Sequence, residues 1–305
     1  MRAGKMASIL SGLAGGLTAA VAAPAAFAQD SATIIGIPHD GGTGFQHAAT
    51  ELASDLHWLD GFLLVIITVI VLFVTALMAY VVFRFNEKAN PKPATFTHNS
   101  LVEVVWTVVP IVILVAIAIP SLQLLSKQVT IPEADLTIKA TGNQWYWSYD
   151  YPDPNGEADF AFDAMMVGYG YKDYETAKAN VGDELEAAGV TRENYRLQTN
   201  NWVVVPVGKV VRMQVTAADV IHSWTIPAFG VKMDGIPGRL NEIWFQVDEP
   251  GIYYGQCSEL CGKDHAYMPI SVKAVSPEEY DAWLADAQAK FAGVERNVSV
   301  ASLTE

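Results

Sequence analysis

Cysteine is almost missing from this chain: 305 residues contain two, Cys257 and Cys261, four positions apart. That excludes a small disulfide-stapled scaffold and leaves a spacing that needs another account. Basic residues are scarce as well, 19 Lys and Arg against 33 Asp and Glu, for a net charge of −14. A chain without a basic face does not neutralise phosphates, so nucleic acid is excluded as a partner and any charged partner is cationic. Charge of either sign is sparse at 17%, while 51% of residues are hydrophobic and mean hydropathy is +0.22. An ordinary soluble domain carries more charge, so part of this chain lies in lipid. Internal repeats and low-complexity stretches are absent too.

The charge that exists is unevenly spread. Residues 1–28 hold Arg2 and Lys5 with no acid, then an apolar run rich in small residues that ends Ala26-Phe27-Ala28 before Gln29. This reads as a signal peptide over 1–28, with a third membrane span as the alternative, and places 29–60 as an N-terminal periplasmic segment. Gly61 to Phe83 is free of charge and bracketed by Asp60 and Arg84; Val104 to Ser126 is free of charge and bracketed by Glu103 and Lys127. Each run is long enough to cross ~30 Å of hydrocarbon as a helix, and Pro110 and Pro120 are tolerated there as kinks or ends. The sequence therefore predicts a transmembrane helix hairpin over 61–127. Its connecting loop carries Arg84, Lys88 and Lys92 against Glu87, which puts the loop in the cytoplasm and both termini on the export side of a bacterial inner membrane.

Beyond residue 128 the period becomes two. Val211, Met213 and Val215 alternate with Arg212, Gln214 and Thr216; Ile243, Phe245 and Val247 repeat the pattern; Ile270, Val272 and Ala274 alternate with Ser271 and Lys273. Turn signals at Pro206-Val207-Gly208, Pro237-Gly238 and Glu249-Pro250-Gly251 separate these half-buried strands, so 128–275 is expected to form a β-sandwich or barrel. Helix formers and mixed charge over 172–196 interrupt the pattern as a surface insertion. Ser276-Pro277-Glu278-Glu279 has the form of a helix start, which makes 276–305 a C-terminal helix, to about Ala292, and a tail.

The chemistry is concentrated in Cys257-Ser258-Glu259-Leu260-Cys261-Gly262-Lys263-Asp264-His265-Ala266-Tyr267-Met268, with His222 distant in Val220-Ile221-His222-Ser223-Trp224. Two thiolates, an imidazole and a thioether within twelve residues, with a second imidazole from elsewhere, suit copper. Zinc fits less well because Met is a poor zinc ligand and paired C-x2-C geometry is missing. A single blue copper uses one Cys, so the second cysteine is surplus to that design and points to two bridged coppers. A plain disulfide is the alternative for the two cysteines without their neighbours, and a structural core histidine is the alternative for His222.

At these residues the chain resembles subunit 2 of the haem-copper cytochrome c oxidases. The motif C-S-E-L-C-G-x-x-H-x-x-M stands at Cys257 to Met268, V-I-H-S-W holds His222, Gly142-Asn143-Gln144-Trp145-Tyr146-Trp147 is the aromatic strand, and P-G-R-L-N lies within Val231 to Asn241. The resemblance implies a membrane-anchored cupredoxin-like β-sandwich bearing a dinuclear copper centre, Cu-A. Its ligands would be bridging Cys257 and Cys261, terminal His222 and His265, weak Met268 and the main-chain carbonyl of Glu259. It further implies a Mg²⁺ or Mn²⁺ ion shared with subunit 1 through the Glu259 side chain, whose alternative is an exposed loop acid. Electrons would pass from cytochrome c to a haem of subunit 1, supporting dioxygen reduction and proton pumping, with subunit 3 as a further neighbour.

Other residues gain roles only through that resemblance. Trp145, Tyr146 and Trp147 are read as one strand with one tryptophan toward the core and the other toward solvent. Trp145 would then be the point where electrons enter, with Tyr146, Asp150, Asp163 and Asp219 in a docking patch, although acids on a solvated face usually serve solvation alone. Glu103 would open a proton path, its alternative being a helix-end solvation role. Asp234 and Arg239 are weaker candidates for a polar layer beneath the copper site. The 172–196 insertion departs from shorter relatives and receives no role. Subunit 2 of a quinol oxidase shares anchor and sandwich but lacks the copper ligands, and a tethered copper chaperone would leave Trp145, Glu259 and the twin spans unexplained.

Overall fold

The computed structural model describes residues 33–152 and 158–291; the expected signal peptide and the tail beyond 291 lie outside them. Two long helices come first, α1 (Glu51–Arg84) and α2 (Ser100–Val129). Thr50 caps α1 by accepting from the Ala53 amide at 3.0 Å, and Asn99 caps α2 by accepting from the Val102 amide at 3.2 Å, which satisfies donors that the first turn leaves open. Helix α2 runs on through Pro110 and Pro120. Between them α1 and α2 bury only Leu52, Ala53 and Leu124. Apolar side chains face outward along the rest of both, as a lipid solvent requires.

Helix α1 starts ten residues ahead of the charge-free run, inside the segment 29–60. Glu51, Asp55 and Asp60 are excluded from hydrocarbon but compatible with a helix that continues into water. That extra length is used as a latch. Lys127 near the end of α2 reaches Glu51 at 2.7 Å and Asp55 at 2.6 Å, and its carbonyl accepts from Trp244 Nε1 at 3.0 Å. Thr50 donates to the Phe229 carbonyl at 2.8 Å, and the Ala49 amide donates to the Ala228 carbonyl at 2.8 Å. Even β1 (Ile34–Gly36), too short to show a period, joins the sandwich.

The remaining strands are β2 (Leu136–Asn143), β3 (Tyr146–Pro152), β4 (Ala158–Ala164), β5 (Val203–Pro206), β6 (Val210–Ala217), β7 (His222–Ile226), β8 (Val231–Gly235), β9 (Asn241–Gln246), β10 (Gly251–Gln256) and β11 (Pro269–Val275). They form a five-stranded sheet ordered β4-β3-β2-β6-β9, a four-stranded sheet ordered β1-β10-β11-β5 and a β7-β8 hairpin. One core joins the two larger sheets, with Ile138, Trp147, Met213 and Phe245 from the first meeting Val203, Tyr253, Ile270 and Val272 from the second. Strand β6 alternates as the sequence predicts, Val211, Met213 and Val215 inward and Arg212, Gln214 and Thr216 outward.

Two outer positions are covered instead of solvated. Trp244 on β9 is buried under the end of α2. Ser271 on β11 is buried under the segment 165–200, where it donates to the Leu197 carbonyl at 3.0 Å and accepts from the Thr199 amide at 2.9 Å. That segment carries α3 (Tyr174–Ala187), capped by Asp173, over a small core of Val167, Ala177, Leu185 and Val190. Helix α4 (Pro277–Phe291) begins with the predicted reciprocal box: the Glu279 amide donates to Ser276 Oγ at 3.2 Å and the Ser276 amide to Glu279 Oε2 at 3.0 Å.

Candidate metal centre

Strands β10 and β11 end as partners, Gln256 opposite Pro269, so the intervening loop is closed at its base and returns Met268 beside Cys257. His222 is the first residue of β7, packed edge-on to Trp147 with centroids 5.9 Å apart, and wholly buried. The space it occupies exists because residue 142 is glycine: a Cβ there would stand 2.7 Å from His222 Cγ and Cδ2. Ser223 fixes the loop to this strand, its carbonyl accepting from the Ser258 amide at 3.0 Å.

The donor atoms converge. Cys257 Sγ lies 3.8 Å from His222 Nδ1, 3.9 Å from Cys261 Sγ and 3.3 Å from the Glu259 carbonyl oxygen. Cys261 Sγ lies 3.5 Å from His265 Nδ1 and 3.5 Å from Met268 Sδ. Cys257, Cys261 and Met268 are buried, and both thiols are free, their sulfurs about twice a disulfide's ~2.05 Å apart. Two sulfurs in the middle, an imidazole on each outer side, a thioether and a carbonyl form one connected set, and His222, Cys257 and Cys261 offer atoms all within 4.8 Å of one another. The Glu259 side chain itself points to solvent.

The electrostatics favour a cation at this place. Burial opposes ionisation of Cys257, yet hydrogen bonding to His222 and to the backbone at Glu259 and Ser223 outweighs it and brings this thiol below its ordinary pKa. Burial together with the neighbouring Cys257 pushes Cys261 up to about 12. One thiolate therefore makes a second costly until positive charge stands between them, which is what a soft metal supplies. His222 is raised despite its burial, because Cys257 and Asp219 flank it.

Asp219 is the residue whose position the sequence hid. Its Oδ1 lies 2.9 Å from His222 Nε2 and its Oδ2 accepts from the Gln144 amide at 2.7 Å. Against the cost of burial these bonds hold its carboxyl below the usual range. With the proton kept on Nε2, the lone pair of His222 Nδ1 faces Cys257, the arrangement of a carboxylate that orients a metal-binding imidazole. The only advance signal was its position three residues before His222.

Trp145 is half-exposed and Trp147 buried, but not because one strand alternates. Residues two apart share a face of a strand; Gln144 and Trp145 instead form the turn between β2 and β3, where the period of two is broken. Trp145 Nε1 donates to the Cys261 carbonyl at 3.3 Å, Gln144 Nε2 to the same oxygen at 2.8 Å, and Lys263 Nζ stands 5.5 Å from the Trp145 ring. Tyr146 opens β3 beside it. Asp163 accepts from Ser148 Oγ at 2.6 Å, while Asp150 lies further along β3 and pairs with Lys139 at 3.3 Å. Asp234 accepts from Ser223 Oγ at 2.7 Å, behind the His222 strand. Glu103 is in the first turn of α2, about 40 Å along that helix from its sandwich end at 1.5 Å per residue, and is not brought near the cysteine loop.

A two-helix membrane anchor carrying a β-sandwich, with two thiols and an imidazole on one loop facing a second imidazole at the start of β7, defines a membrane-tethered protein of cupredoxin-like build with a site able to hold a metal. Residues 136–275 match the family described as cytochrome c oxidase subunit II, periplasmic domain, and residues 38–124 match the transmembrane domain of that subunit. The chain belongs to the cytochrome c oxidase subunit 2 family and is a subunit of that oxidase complex. It is 54% identical over 281 residues to cytochrome c oxidase subunit 2 of Cereibacter sphaeroides, covering 92% of this chain and 91% of the relative. It is 46% identical over 242 residues to the probable cytochrome c oxidase subunit 2 of Rickettsia bellii, covering 79% and 82%. Among solved structures, the periplasmic domain of subunit II of cytochrome oxidase from Bradyrhizobium japonicum is 50% identical, covering 53% of this chain and 100% of that one, with a TM-score of 0.43.

Proposed function

We propose that this subunit takes electrons one at a time from cytochrome c at a dinuclear copper centre and passes them to subunit 1, where dioxygen is reduced and protons are pumped. The observation that carries this reading is the pair of free buried thiols 3.9 Å apart, each with an imidazole nitrogen beside it. Cys257, Cys261, His222, His265, Met268 and the Glu259 carbonyl would hold the copper, the thiolates and imidazoles more strongly than the thioether and the carbonyl. Copper bound there would supply reversible one-electron chemistry.

The chain's own groups do the rest. Asp219 orients His222, the buried setting of Cys257, Cys261 and Met268 keeps water from the sulfurs, and Trp145 offers a half-exposed ring bonded directly to the Cys261 carbonyl. On this reading electrons enter at Trp145, and Tyr146, Asp150, Asp163 and Asp219 contribute to an acidic approach suited to a basic cytochrome c. The exposed Glu259 carboxylate would hold Mg²⁺ or Mn²⁺ against subunit 1, and Glu103 would open a proton path at the opposite end of the hairpin. The sandwich, both termini and the signal-peptide end would face the periplasm, with subunit 3 a further neighbour in the assembly.

Metal analysis and electron paramagnetic resonance of the full chain, purified in detergent apart from its partners and loaded with copper, test this directly. Two coppers per chain and a hyperfine pattern from two equivalent nuclei are expected. One zinc and no copper, or the pattern of a single copper, would overturn it.

A further inference from the structure

The half of the loop that carries His265 and Met268 is poorly tied to itself. Its main-chain bonds are local, His265 to Gly262 at 3.3 Å and Tyr267 to Asp264 at 2.8 Å, and Gly262 and Lys263 are exposed. Outside support comes from a segment that the metal reading leaves without a task. Tyr169 Oη donates to Asp264 Oδ2 at 2.7 Å, and its ring meets Tyr267 edge-on at 6.2 Å. The Arg196 guanidinium lies over the Tyr267 ring at 5.0 Å, with Nη2 3.4 Å from Tyr267 Oη. Asp264 and Tyr267 flank His265, and Tyr267 directly precedes Met268.

The gripping residues are themselves held. Arg196 is the one non-glycine residue with positive φ among the described residues, at 71°, a conformation that costs of order 1 kcal/mol or more and persists where surroundings enforce it. Here the Lys172 carbonyl accepts from Arg196 Nη2. The segment is pinned at its base by Ser271, three residues past Met268, and by Tyr254 Oη donating to Gln198 Oε1 at 2.6 Å. Its private core of Val167, Ala177, Leu185 and Val190 makes it a body rather than a loose loop.

We propose that residues 165–200 are a positioning element for the metal loop, in which Arg196 and Tyr169 are positioning residues that hold His265 and Met268 in register with the two thiols. This rests on the reading of Cys257–Met268 as the copper loop. The physical need is clear: ligands serving a centre whose charge alternates work best when their supports keep them from moving. A cation 5.0 Å over the Tyr267 ring is attracted to its face, and a broad guanidinium that also reaches Tyr267 Oη suits this place better than a compact ammonium.

The test uses the full chain. R196G keeps the backbone, because glycine adopts φ near +71° without strain, and removes the whole side chain that reaches Tyr267 and Lys172; R196K keeps the charge; Y169F removes one hydroxyl. R192A is the control, its partner Glu175 lying on the same segment away from the loop. Amide hydrogen exchange of residues 262–268 in the metal-free chain is expected to rise about tenfold in R196G and Y169F, less in R196K, and not in R192A. In the assembled oxidase R196G and Y169F are expected to shift the copper spectrum and reduction potential while KM for cytochrome c stays within about twofold. Unchanged exchange and spectrum with a raised KM would overturn the proposal in favour of a donor-docking surface. Faster exchange with an unaltered spectrum would overturn it too, since the segment would then serve stability alone. Failure of the wild-type chain to bind copper would count against the metal reading only, because the exchange comparison is made without metal.

Discussion

The hairpin and the sandwich are built from similar apolar residues and use them in opposite ways. Along α1 and α2 the valines, leucines and isoleucines face outward: Val71 is 60% exposed and Phe83 78%. In the sandwich Phe245, Trp224 and Tyr253 have no exposure at all. The difference teaches that apolar content does not place a residue; the pattern in which charge is withheld does. Twenty or so residues without a charge make a helix whose solvent is lipid, whereas apolar residues alternating with Arg212, Gln214 and Lys273 make strands whose solvent is one another.

The largest effect that would sharpen this contrast is in the core. Phe245→Ala is expected to cost about 3–5 kcal/mol, read from chemical denaturation of the sandwich, because Trp224, Phe229 and the sheet cannot close the hole. Val71→Ala, an equally apolar deletion, is expected to leave that transition unmoved. A substitution that breaks the pattern of the hairpin acts elsewhere: Val71→Asp is expected to oppose membrane insertion by about 3 kcal/mol, read as the fraction of chain recovered in membranes, with the sandwich still folding. Equal insertion of Val71→Asp would remove the hairpin from lipid.

A smaller effect separates shape from stability within the sandwich. Gly142→Ala places a methyl group where the His222 ring stands, so copper affinity is expected to fall about 10–100-fold, the range seen when a ligand loses its support, with a loss of stability smaller than that of Phe245→Ala. The smallest is at the α4 start, where Ser276→Ala is expected to cost about 1 kcal/mol. Its pH dependence has a defined sign. The Ser276 amide and hydroxyl hold the Glu279 carboxyl below its ordinary value, so the contribution is complete above the unfolded carboxylate range near ~4.3 and is lost as pH falls through the lower folded value. The stability gap between wild type and Glu279→Gln is expected at about pH 6 and expected to close toward about pH 3.

Much of the fold was legible because long-period signals survive any tertiary arrangement. Charge-free runs, the alternation in β6 and the Ser276–Glu279 box are each properties of a single element. The residues misjudged are those where two elements meet. Ser271 alternates as an outward position but is roofed by 165–200; α1 reaches back to Glu51 because Lys127 of α2 answers its acids; Trp145 leaves the strand pattern because the β2–β3 turn begins at Gln144. Within the metal centre the donor atoms were legible as a string, since four of them share twelve residues. Asp219 and Gly142 were not, because their roles exist only against His222, and the signal of each is a lone residue of an ordinary type.

By itself the sequence determined the number of spans, the change of period that begins the sandwich, and which side chains are chemically able to hold a soft metal, because all of these follow from residue type and near-neighbour spacing. Only the tertiary structure decided which carboxylate orients His222, why a glycine must underlie it, and that the segment 165–200 reaches across to Asp264 and Tyr267. Asp219 sits only three positions from His222, but the other relations are long-range, Tyr267 to Arg196 at 71 positions and Tyr169 to Asp264 at 95, and all of them depend on how sheets and loops pack, which no local pattern encodes.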